Sequence, residues 1–72
     1  MTKYEEFKSL KVIEDKSNPF CTLFEYEDGS RFYIEPLFYS YLENFKMTHP
    51  QQVELFLNKM EEIVKRNKKV IF

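Results

Sequence analysis

The chain has 72 residues, with eleven basic and twelve acidic side chains that leave a formal charge of −1, and one cysteine. A single domain of this size buries only about 60% of its unfolded surface, so its margin of stability is thin. Cys21 alone excludes an intramolecular disulfide, one Cys with one His excludes a metal staple, and the near-neutral charge gives no bulk attraction to nucleic acid or membrane.

The elements follow in order. Thr2 with Glu5 three residues on reads as a capped helical turn, with Phe7 and Leu10 as its apolar contacts. Lys8 to Glu14 reads as a strand with Leu10 and Val12 on one face and Lys11 and Ile13 on the other. Asp15 to Pro19 is a loop, since Pro19 biases Asn18 away from helix.

Residues 20–35 read as a hairpin, because two runs rich in aromatic and β-branched residues flank Asp28-Gly29. A two-residue turn there sets Glu25 against Phe32, Phe24 against Tyr33 and Leu23 against Ile34. One face then carries Cys21, Leu23, Phe32 and Ile34, interrupted by Glu25, and is the better core face. The other carries Phe24, Tyr26 and Tyr33 among Thr22, Arg31 and Glu35. A three-residue turn, Asp28-Gly29-Ser30, would shift this pairing by one position.

Pro36 suits a first helical turn. Leu37, Phe38, Tyr41, Leu42 and Phe45 mark a broad stripe on a helix of about ten residues, with Tyr39 and Ser40 off it. Thr48 and Gln51 match a capping box for a second helix. There Val53, Phe56, Leu57, Met60, Ile63 and Val64 hold helical spacing and Leu55 lies outside. Glu61 with Lys65 and Glu62 with Arg66 are i,i+4 pairs, and Asn67 is an exit residue. Val70, Ile71 and Phe72 should not stand in water: a fourth short strand, packing under the helices or an oligomer contact would each cover them.

The expected fold is therefore α+β: a small antiparallel sheet, made of the hairpin and an N-terminal strand, packed against two C-terminal helices. A short C-terminal strand is optional in this scheme. No run approaches the roughly 20 apolar residues of a membrane span, and no signal peptide is evident, which points to the cytoplasm.

No catalytic constellation stands out. His49 reads as a solvent-facing residue of a first helical turn, and Cys21 as a structural thiol with no basic neighbour to activate it. Gly29 is the only glycine and is used by the turn, which excludes a glycine-rich phosphate loop. The carboxylates Glu25, Glu27, Asp28 and Glu35 read as an acidic rim.

These features point to a non-enzymatic protein-binding module without cofactor or metal, a small regulator or inhibitor such as a bacterial or phage accessory protein. In this reading Phe24, Tyr26 and Tyr33 desolvate against another protein while Glu25, Glu27, Arg31 and Glu35 set orientation. Self-association into a homo-oligomer would engage Val70, Ile71 and Phe72. The alternative is a nucleic-acid-binding regulator using the hairpin aromatics with Lys65, Arg66, Lys68 and Lys69, although the acids of the hairpin oppose it.

Overall fold

The structure is a computed structural model describing residues 2–72. The chain folds as α1 (Lys3–Lys8), β1 (Lys11–Ile13), β2 (Thr22–Glu25), β3 (Arg31–Ile34), α2 (Pro36–Thr48) and α3 (Pro50–Arg66). The three strands form an antiparallel sheet in the order β1-β2-β3, one face of which packs on the helices, as the α+β pattern requires.

Six residues are too few for a helix to stand alone, and α1 is held from both sides. Its capping box is complete: Glu5 N–H donates to Thr2 Oγ1 at 3.1 Å and Thr2 N–H to Glu5 Oε1 at 3.3 Å. The Glu54 carboxylate of α3 accepts the next two free donors, Lys3 N–H at 2.7 Å and Tyr4 N–H at 2.9 Å. Phe7 then enters the core against Phe24, ring centroids 5.4 Å apart.

The hairpin register differs from both expected turns. Glu27, Asp28 and Gly29 form a three-residue connection, closed by Gly29 N–H to Tyr26 O at 3.0 Å and Tyr26 N–H to Ser30 O at 2.8 Å. Gly29 takes φ +92, the left-handed conformation that suits glycine. Asp28 accepts Ser30 N–H at 3.0 Å and fixes the turn one residue earlier than a loop over Asp28 to Ser30 would. Phe24 consequently opposes Phe32, Leu23 opposes Tyr33 and Glu25 opposes Arg31.

Because side chains alternate, this shift re-sorts the faces. Phe24, Phe32 and Ile34 point to the helices and are buried, whereas Leu23 and Tyr33 lie on the outer face. The aromatic face of Phe24, Tyr26 and Tyr33 therefore does not exist as a unit. Leu23 is buried nonetheless, in a cross-strand row between Ile13 and Tyr33.

Two helix expectations also change. Thr48 belongs to the end of α2, and His49, held outside the helical region before Pro50 with φ −138 and ψ 62, starts α3 without a side-chain cap. Thr48 Oγ1 instead lies 2.8 Å from His49 Nδ1, so no capping box with Gln51 forms. Tyr39 is not off the packed side: its ring stacks on Phe24 and Phe7, and its hydroxyl receives the Lys8 ammonium at 2.6 Å. On α3, Val53, Leu57, Met60 and Val64 are the core positions and Leu55 is exposed, as its spacing indicated. Glu61 pairs with Lys65 at 3.4 Å, while Glu62 pairs with Lys59 and leaves Arg66 to its backbone carbonyl.

Residues 70–72 do not form a fourth strand but pair in parallel with β3 through an isolated bridge, Tyr33 with Ile71. Tyr33 N–H donates to Val70 O (2.9 Å), Phe72 N–H to Tyr33 O (2.8 Å) and Glu35 N–H to Phe72 O (2.8 Å), a parallel ladder along the outer edge of β3. Phe72 packs edge-on against Phe32 and beside Phe38. One edge of the sheet is thus closed and the other, β1, is left short and marked by Lys11.

Candidate interaction surfaces

The expected hairpin site is dispersed over three places. Phe24, 6% exposed, is spent in the core. Tyr26 is half-buried in a crevice between the hairpin tip, α1 and α3, its ring 5.3 Å from Phe32 and under the Lys65 ammonium. Burial raises its hydroxyl pKa above the ordinary value. Around it runs a chain of ion pairs, Lys3 to Glu61, Glu61 to Lys65 and Lys65 to Asp28, each 3.3–3.4 Å. The Ser30 N–H and hydroxyl, ahead of Lys65, hold the Asp28 carboxyl below its usual pKa. Asp28 thus ties the hairpin tip to α3 instead of joining an acidic rim. Glu27 lies exposed on the turn and Glu35 exposed at the N-cap of α2.

Glu25, Arg31 and Tyr33 remain together on the outer sheet face. Arg31 Nε donates to Glu25 Oε2 at 2.7 Å, which the observed register places directly across the ladder. Tyr33 donates its hydroxyl to Asp15 at 2.5 Å, and this bond raises the tyrosine pKa. Ser17 first and Tyr33 second lower the pKa of Asp15. Arg31, Tyr33, Lys68 and Lys69 line one shallow hollow of about 450 Å³, with Glu14 and Asp15 on its wall. The basic groups are gathered as a polyanion site would need, but carboxylates stand among them.

A further surface was not singled out from the sequence. α2 carries Leu37, Phe38, Tyr39, Tyr41, Leu42, Phe45 and Met47 in thirteen residues, yet only Leu42 is fully buried. Leu37 is 82% exposed and Tyr41 66% exposed. With Phe38, Phe45 and Thr48 they occupy one flank of the helix, on which no charged residue falls. Tyr41 stacks on Phe45 at 5.9 Å and Phe45 on His49 at 4.4 Å. Phe38 reaches Phe56 of α3 at 5.7 Å, which extends the apolar surface across the helix pair toward the part-exposed Ile63.

The opposite flank of α2 is polar and occupied. Glu43 pairs with Lys8 at 3.0 Å, and Lys46 lies over the Tyr4 ring at 5.3 Å. The Tyr39 hydroxyl, then Glu43, raise the pKa of the Lys8 ammonium. A signal for the exposed flank was present in the sequence: the apolar positions of α2 cover more arc than a single core can receive. A one-sided core buries Leu42 and covers part of Phe38, Tyr39 and Phe45, which leaves Leu37, Tyr41 and, on the polar side, Met47 outside.

His49 stacks on Phe45 at the helix junction, and Cys21 lines a hollow beside β1 with Val12, Ile13 and Pro19. Among the described residues no group of three or more His, Cys, Asp or Glu is placed to hold a metal ion, and no helix is long and apolar enough to cross a membrane. Comparisons with protein-family models, with curated proteins and with solved structures give no match.

Proposed function

We propose that this chain is a non-enzymatic protein-binding module that works by covering a partner's surface, and that the covering face is the α2–α3 flank. The observation that carries the reading is the exposure of Leu37 and Tyr41 on a charge-free helical flank continuous with Phe56. A helix apolar around most of its circumference is ordinarily covered, and an exposed apolar centre with a polar margin is the anatomy of an interface. Tyr41 and Phe56 are residue types that dominate binding energy once desolvated. The hairpin is the weaker candidate for this role, since Phe24 is buried and Asp28 is paired with Lys65. A reducing compartment such as the cytoplasm suits the lone, half-buried Cys21.

The test places a photo-reactive phenylalanine analogue at position 37 or 41, with position 27 on the exposed turn as control, and irradiates expressing cells. A discrete adduct from 37 and 41 but not from 27 supports the reading. Equal adducts from all three, or none, overturn it.

The clustering of Arg31, Tyr33, Lys68 and Lys69 favours a second reading, single-stranded nucleic acid held on the outer sheet face. It requires binding to a labelled oligonucleotide that weakens steeply with salt and is lost in Arg31→Ala. Salt-independent or absent binding removes it.

A further inference from the structure

We infer that the occupant of the α2–α3 flank is a second copy of this chain, packed across a two-fold axis with α2 antiparallel to its counterpart; this rests on the binding role proposed for that flank. Leu37, Phe38, Tyr41, Phe45 and Thr48 present no charge, while Glu43 and Lys46 of the same helix are engaged by α1 on the far side. A partner for such a surface must itself be apolar and uncharged where it makes contact, or it would bury unpaired charge. The flank supplies those properties to itself. At a two-fold axis a patch meets its own copy, which like charges would prevent and which this patch permits.

Geometry agrees with charge. An axis passing near Tyr41 sets Leu37 of one copy against Phe45 of the other, both on the same flank. The antiparallel arrangement also opposes the two helix dipoles. Area decides whether the contact can persist. The exposed parts of Leu37, Tyr41, Phe56 and Ile63 amount to roughly 500 Å² of largely apolar surface, taking about 200 Å² for a fully exposed large side chain. A stable interface needs about 800 Å² per partner. Thr48 and Gln52, exposed along the same margin, add to the apolar area as an uncharged polar rim, and Lys59 at the outer limit is already paired with Glu62.

The open edge of the sheet is the competing place for self-association. There β1 is three residues long and bears Lys11, features that discourage strand pairing between copies. The helical flank has no such protection.

The experiment measures mass in solution by light scattering from about 5 to about 200 µM, the range in which an interface of modest affinity forms and dissociates. The wild type is expected to become a dimer across that range. Tyr41→Glu and Tyr41→Lys should each shift the midpoint at least tenfold toward higher concentration, and mixing the two should restore association, because position 41 faces its own copy. Leu37→Glu is the second variant: an acid in the first turn of α2 favours the helix, so its loss of dimer is not a loss of fold, which far-UV circular dichroism verifies. Dimer loss with rescue on mixing supports the inference.

A wild type that stays monomeric throughout overturns it, as does a dimer that survives all three variants. The photo-adduct separates this failure from failure of the binding role. Adducts at 37 and 41 that yield peptides of a different protein reject the second copy and keep the role; a monomer without adducts rejects both.

Discussion

Glu54 is one side chain on which two helices depend. From the first turn and a half of α3 it reaches the free N–H groups of Lys3 and Tyr4, and so completes the end of a helix too short to persist unaided. Glu54→Gln keeps the shape but leaves one uncharged acceptor where Lys3 N–H and Tyr4 N–H each met a carboxylate oxygen, and sets the amide NH2 against the other donor; it should lower unfolding free energy by about 1–3 kcal/mol in urea titration. Asp28 makes a comparable link from the hairpin tip, to Lys65 of α3. Its folded-state pKa is depressed below 3.8, so the unfolded chain binds its proton more tightly. The stability it contributes is present above that value and is lost as pH falls through the lower, folded one. Asp28→Asn should therefore flatten the decline of the urea midpoint between about pH 5 and about pH 2 relative to wild type. A decline of unchanged steepness would show that Asp28 is not among the groups responsible.

At the scale of elements, the hairpin and α2 show why a correct pattern can still misplace side chains. Asp28-Gly29 identified the hairpin, but the local choice among turns lies in the Asp28 to Ser30 hydrogen bond and in which turn position the glycine occupies. One residue of slip transfers Tyr33 from the aromatic set to the outer face and sends Phe24 inward. No periodicity within either strand distinguishes these alternatives, because both faces carry apolar residues. Gly29→Ala tests the turn: a Cβ there meets nothing within 4 Å, so only the backbone conformation is penalised. The expected loss is about 1–2 kcal/mol with far-UV circular dichroism retained. In α2 the spacing marks a broad apolar stripe but does not divide it into buried and exposed parts. The core can take only the side that faces the sheet, α1 and α3, and so it accepts Tyr39 and releases Tyr41. α3 was legible in its centre, where Val53, Leu57, Met60 and Val64 are buried as their spacing indicates, while Phe56 and Ile63 at the margin of the same stripe stay part-exposed.

For the whole molecule, the α+β layering followed from the order of patterns, and the closure of the sheet by residues 70–72 was one of the alternatives those patterns allowed. Which alternative holds depends on contacts between segments far apart in sequence, Phe72 with Phe32 and Val70 with Tyr33. Removing residues 70–72 should lower unfolding free energy by about 2–4 kcal/mol, through lost packing of Phe72 and a backbone edge without its partners. Chemical denaturation of the shortened chain measures that difference. The same ladder also sets a clock on synthesis. A ribosome releases β3 well before the residues that flank it, since both long helices must be translated in between. Throughout that interval the β3 edge later covered by Val70 and Phe72 carries unpaired backbone groups, so closing it is a long-range step that folding reaches after the hairpin and the helices have formed.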